Sequence, residues 1–107
     1  MSYWDRIAKL YTTFVNRSYK GAYEEMVENI DKHINTTMNV LEIGAGPGTL
    51  SKMIAPLCNH LLATDYSDKM IAEAIKTLSV FDNVDVKKEN IFDLNLEDKS
   101  FDCVLTV

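Results

Sequence analysis

Seven residues, Glu42-Ile43-Gly44-Ala45-Gly46-Pro47-Gly48, constrain this chain more than any other stretch. They follow a short apolar run at residues 40–43, broken only by Glu42. They precede an apolar stripe at helical spacing, Leu50, Met53, Ile54 and Leu57, which Pro56 brings to an end. A short apolar run that meets glycine at once reads as a buried strand entering a tight turn. Three glycines at alternate positions let the backbone turn sharply and approach a ligand with no Cβ in the way.

The same alternation continues on both sides. Residues 3–15 place Trp4, Ile7, Ala8, Tyr11 and Phe14 at helical spacing, and residues 22–34 do so with Tyr23, Met26, Val27, Ile30 and Ile34. Gly21 separates or kinks the two. Residues 61–64 read as a second strand. Ser67 is placed to cap a helix that carries Ile71, Ala74, Ile75 and Leu78. Val84–Lys88 reads as a third strand with Val84 and Val86 on one face, and residues 101–107 as a fourth. Strands alternating with helices predict right-handed βαβ units and a parallel sheet.

The glycine turn alone does not name a ligand, because dinucleotide enzymes carry one too. Two details separate the classes. The dinucleotide fingerprint G-x-G-x-x-G, counted from Gly44, wants glycine at 49, where this chain has Thr49. A carboxylate two residues before the first glycine, Glu42, would repel a pyrophosphate. It would attract S-adenosylmethionine (SAM), which carries a sulfonium and an ammonium. Opposite charges about 4 Å apart at an effective dielectric of about 20 gain roughly 4 kcal/mol before desolvation. Partial burial of Glu42 is expected from its place within Val-Leu-Glu-Ile, and a buried carboxylate needs a partner. Asp65, 19 residues past Gly46, stands directly after the second strand, where a carboxylate can accept both hydroxyls of an adenosine ribose. Tyr66 could lay its ring on the adenine, and Met70 could supply a soft contact beneath it.

At these positions residues 40–107 resemble class I SAM-dependent methyltransferases, in particular the broad small-molecule group related to the ubiquinone-biosynthesis enzymes. VLEIGAGPGTLS resembles the first motif of that family, ATDYSDKMIAEA the second, and KENIFDLNLEDKSFDCVLTV the third and fourth. The resemblance implies an α/β fold: a Rossmann-like doubly wound, mostly parallel sheet with N-terminal helices and strand order 3-2-1-4-5-7-6, here truncated after the fourth strand. It implies a helical segment over residues 1–36 that closes over the cofactor, and a SAM-binding half over residues 37–107. By position, Glu42 and Gly44 would border the methionine end, with Ala45, Gly46 and Gly48 in the loop, and Asp65 would hold the ribose. Asn90 falls where the family usually has the Asp that accepts from the adenine amino group, and Ile91 would offer its backbone N–H to an adenine ring nitrogen. Tyr11 matches the Tyr of the closing helix, although Thr12 replaces the Asp that usually follows.

The implied reaction is methyl transfer from SAM to an acceptor. The catalytic residues are unknown at this point, because the family's substrate-binding and base-supplying residues mostly follow the fourth strand. A nicotinamide-dependent oxidoreductase, a non-catalytic SAM-binding module and a structural remnant with no ligand are the competing readings. The net charge of −5, from 11 Lys+Arg against 16 Asp+Glu, argues against phosphate-driven binding of nucleic acid. The charge speaks for this segment alone and leaves open a nucleic-acid substrate reached through other residues; the resemblance to the small-molecule group implies a small-molecule acceptor. Cys58 and Cys103 lack metal spacing and lie in apolar stretches, as reduced core thiols would. His33 and His60 have no nucleophile or metal partner in view, so structural or surface roles are expected. No apolar run reaches the roughly 18 residues of a membrane span, and the cytoplasm is the expected compartment. If residues 101–107 form an exposed edge strand, copies of the chain are expected to pair through it, or the chain to depend on a longer parent.

Overall fold

The computed structural model describes residues 22–90 and 101–106. The first expected helix, Tyr11, Ile91 and the polar loop at residues 93–100 lie outside the described residues. Within them the chain runs α1 (Ala22–Asp31), β1 (Asn39–Ile43), α2 (Thr49–Ile54), a 3-10 turn (Ala55–Leu57), β2 (His60–Asp65), α3 (Asp68–Leu78), β3 (Val84–Lys88) and β4 (Cys103–Thr106).

The differences from the expected elements are small and have local causes. Pro56 does not simply stop α2; the chain tightens into a 3-10 turn with the proline in its first positions, where no N–H is required. β2 gains a residue at each end, because the backbone N–H of Leu61 is held by the carbonyl of Asn83 and that of Glu89 by the carbonyl of Asp65. β4 is four residues long, shorter than the apolar run that announced it. Ser67 caps α3 as expected, its hydroxyl accepting from the N–H of Met70 at 3.3 Å.

The four strands form one sheet in the order β3-β2-β1-β4, and all three pairings are parallel. From β1 to β2 to β3 the chain steps one way across the sheet, whereas β4 lies on the opposite side of β1. The order reverses at β1, and in open α/β sheets that reversal opens a crevice beyond the carboxyl ends of the strands.

The helices pack on one face. Val40 of β1, Leu61 of β2, and Cys103 and Leu105 of β4 meet Met26 and Ile30 of α1 and Leu50 and Ile54 of α2 in the main core. Ala63 of β2 continues that face against Ala74 and Leu78 of α3. The alternate residues Leu41, Leu62 and Val104 form a separate apolar cluster on the other face. Cys58 and Cys103 are both buried free thiols, and burial pushes each up to about 11. No helix among the described residues is long and apolar enough to cross a membrane.

Candidate functional site

The turn at residues 44–48 leaves the carboxyl end of β1 beside the point where the strand order reverses. Gly44, Gly46 and Gly48 take φ values of 75°, 61° and 94°, in the left-handed region that glycine adopts without steric cost. Gly46 and Gly48 are nevertheless glycine for different reasons. A Cβ on Gly48 would sit 3.2 Å from Cγ of Leu78, so the bare backbone lets the turn approach α3. Among the described residues, a Cβ on Gly46 would meet nothing within 4 Å. Toward those residues Gly46 presents bare backbone to open space.

Asp65, at the end of β2, ties this turn down. One of its carboxylate oxygens accepts from the N–H of Gly46 at 2.8 Å and the other from the N–H of Ser67 at 2.9 Å. The N–H of Ala45 donates to the carbonyl of Thr64 at 2.9 Å, and the N–H of Glu89 to the carbonyl of Asp65 at 3.0 Å. The ends of β1, β2 and β3 are thus stitched together around one half-buried carboxylate. Tyr66 follows it, 69% exposed, with the ammonium of Lys88 5.7 Å from its ring centroid. Lys88 also pairs with Asp68 at 3.0 Å. Met70 lies half-buried in the first turn of α3, and Asn90 half-buried just past β3. The structure thus gathers Gly44, Ala45, Gly46, Gly48, Asp65, Tyr66 and Met70 at one end of the sheet, and Asn90 follows the same end of β3.

Glu42 is of another kind. It is fully buried, with Ala63 and Leu105 as its register partners on β2 and β4. One carboxyl oxygen accepts from the hydroxyl of Ser51 on α2. The other, Oε2, has no hydrogen-bond partner among the described residues. Burial pushes the carboxyl up to about 7; the Ser51 hydroxyl pulls it down and the nearby charge of Asp65 raises it. Burial was expected from the surrounding sequence. The extent was not, nor that the partner would be a serine of the following helix.

Ser51 and Thr64 are the functional candidates that sequence reasoning missed. The hydroxyl of Thr64 donates to the carbonyl of Glu42 at 2.8 Å, which braces the strand just before the turn. A signal for Ser51 was present. It stands three and four residues before Ile54 and Ala55, on the core face of α2, where an unpaired hydroxyl would be costly. His60, whose Nε2 lies 2.8 Å from Asp85, is at the opposite end of β2 from this site.

Comparison with known proteins places these features in a family. A family model described as a methyltransferase domain matches residues 40–107. The ribosomal RNA small subunit methyltransferase A of Lactiplantibacillus plantarum is 36% identical over 63 residues, which are 59% of this chain and 21% of that protein. The chain thus spans about a fifth of the length of the curated relatives it matches. A dimethyladenosine transferase from Plasmodium falciparum superposes with a TM-score of 0.71 at 23% identity, over 83% of this chain and 32% of that one. A Methanococcus maripaludis protein, provisionally named an S-adenosyl-L-methionine-dependent methyltransferase, superposes with a TM-score of 0.69 at 26% identity, over 78% of this chain and 41% of that one.

The curated relatives overturn one expectation. A small-molecule acceptor rested on the resemblance to the small-molecule methyltransferases, and the disfavouring of nucleic acid on the net charge of −5. That charge counts only these 107 residues, and a stretch that holds a cofactor has no need to touch RNA phosphates itself. The match over residues 40–107 covers well over half of the chain, and the chain belongs to the methyltransferase domain family.

Proposed function

We propose that this chain supplies the SAM-binding half of a SAM-dependent methyltransferase whose acceptor is ribosomal RNA. The observation that carries the cofactor reading is the hydrogen bond from Gly46 N–H to Asp65. It joins an acid at the tip of β2 to bare backbone at the end of β1, beside the reversal of strand order. A nucleoside with a charged tail fits these residues on two counts. The open space over Gly46 accepts a ligand without a clash. The unpartnered oxygen of Glu42 suits a cation and would oppose a pyrophosphate.

In this reading Asp65 keeps lone pairs free for the ribose hydroxyls while its two backbone bonds hold it in place. Tyr66 and Met70 border the adenine, with Asn90 at its edge. Gly44, Ala45, Gly46 and Gly48 shape the loop along the methionine portion. When bound, SAM supplies a methyl group on a sulfonium, open to in-line displacement. The acceptor reading rests on the similarity to ribosomal RNA small subunit methyltransferases.

Calorimetric titration of the chain with S-adenosylhomocysteine, SAM and NAD tests the cofactor. The two adenosyl ligands are expected to bind and NAD not to; tighter binding of NAD would overturn the reading. Incubation with methyl-labelled SAM and small-subunit ribosomal RNA tests the acceptor. Label is expected in the RNA, and its appearance only in a protein or small-molecule acceptor would overturn that assignment.

A further inference from the structure

The glycine turn and Asp65 account for a nucleoside site, but not for the pair formed behind them by Glu42 and Ser51. A fully buried carboxylate with one empty acceptor is an expensive arrangement. It is relieved in one of two ways: the oxygen takes up a proton, or a cationic donor arrives. Ser51 decides which oxygen is left to do so, because its hydroxyl occupies Oε1 and leaves Oε2 open.

We propose that Ser51 is a positioning residue for Glu42, and that the free Oε2 holds a proton in the ligand-free chain and releases it to solvent when a cationic ligand binds at the glycine turn. The inference rests on the SAM-binding reading above and adds a proton to it. In the step, the O–H bond of the carboxyl breaks, the proton leaves to buffer, and the carboxylate left behind is balanced by the positive charge of the ligand.

The surroundings support the proton. β2 presents Ala63 beside Glu42 and Asp65 at its end, β4 presents Leu105, and α2 presents Ser51. Lys52, the next residue of α2, is exposed. Among the described residues the ionisable group that bears on Glu42 is therefore Asp65, a second acid, which disfavours a second negative charge. Burial acts in the same direction and lifts the carboxyl to about 7, so that both protonation states are populated near neutrality.

Two measurements on the 107-residue chain test this. In the ligand-free chain, infrared spectroscopy across a pH series reads the carbonyl stretch of a protonated carboxylic acid. A band that titrates near 7 is expected, absent from Glu42→Gln. In Ser51→Ala, which loses the hydrogen bond to the charged form, its midpoint should move up by about one to two pH units. Calorimetry of S-adenosylhomocysteine in buffers of different ionisation enthalpy then counts protons. Release of a fraction of a proton per ligand is expected at pH 7, and none from Glu42→Gln. Affinity should rise about tenfold per pH unit below the midpoint and level off above it.

A Glu42 carboxyl that titrates in the ordinary carboxylate range overturns the inference whether or not any ligand binds. Binding with no proton release overturns the coupling and leaves the cofactor reading intact. Absence of binding by both SAM and S-adenosylhomocysteine, with the band still titrating near 7, overturns the cofactor reading and with it the coupling.

Discussion

Glu42 shows how one residue can work against the stability of the fold that holds it. Its carboxyl is raised in the folded chain, so between the ordinary value of 4.5 and about 7 the folded state binds more protons than the unfolded one. Stability from this group is therefore fully present at acid pH and is lost as pH rises through that window. Glu42→Gln keeps an acceptor for Ser51 and removes the charge. It is expected to stabilise the chain at pH 8 by up to about 3 kcal/mol and to converge with the wild type near pH 4. Thermal melts across that range check the sign; a Gln variant that is less stable at pH 8 would contradict it. Asp65 is bound by its neighbours, accepting from the N–H groups of Gly46 and Ser67. Asp65→Ala should weaken S-adenosylhomocysteine binding about ten- to hundredfold, as expected for roughly 1.5–3 kcal/mol of hydrogen bonding to a charged group. It should also lower stability, because the N–H groups of Gly46 and Ser67 lose their acceptor.

The turn between β1 and α2 separates two demands that look alike on paper. Gly46 and Gly48 both have positive φ, and placing Ala there costs about 1 kcal/mol in backbone terms alone. Of the two, only Gly48 faces a neighbour among the described residues, with Leu78 Cγ 3.2 Å from the position of the missing Cβ. Gly48→Ala should therefore cost about 2–3 kcal/mol in urea unfolding, combining backbone strain with overpacking against α3. Gly46→Ala should cost only the backbone share, yet impair ligand binding more than its stability loss explains. A Gly46 variant that binds S-adenosylhomocysteine like the wild type would show that the open space above it is not used.

At the scale of the molecule, the parallel sheet separates two apolar clusters. Ile54 belongs to the one beneath the helices and Leu41 to the one on the other face. Both side chains are completely buried, so Ile54→Ala is expected to cost about 2–5 kcal/mol, and Leu41→Ala a similar amount. Residues without shared partners add nearly independently. The double variant should therefore lose the sum to within about 0.5 kcal/mol, where the chain retains a measurable transition. A clear deficit in denaturant titrations would mean that the two clusters communicate through the sheet.

Much of this was legible in the residues themselves, and the reason is locality. Period-2 and period-3.6 patterns, a serine before a helix, and three glycines at alternate positions are properties of a few consecutive residues. They located β1, α2, α3 and β3 closely, and they placed the turn and Asp65 at strand ends. The family's motifs supplied the strand order 3-2-1-4 that the structure shows. The pairings that make the site were not readable, because each depends on register between distant segments. Asp65 reaches Gly46 across 19 residues, and Thr64 reaches the carbonyl of Glu42 across 22. Glu42 could be expected to be buried, but whether its partner would be a cation, a backbone amide or a hydroxyl was decided by the packing of α2 on the sheet. That packing sets Glu42 between Ala63 and Leu105, beneath Ser51, with one oxygen satisfied and one left open.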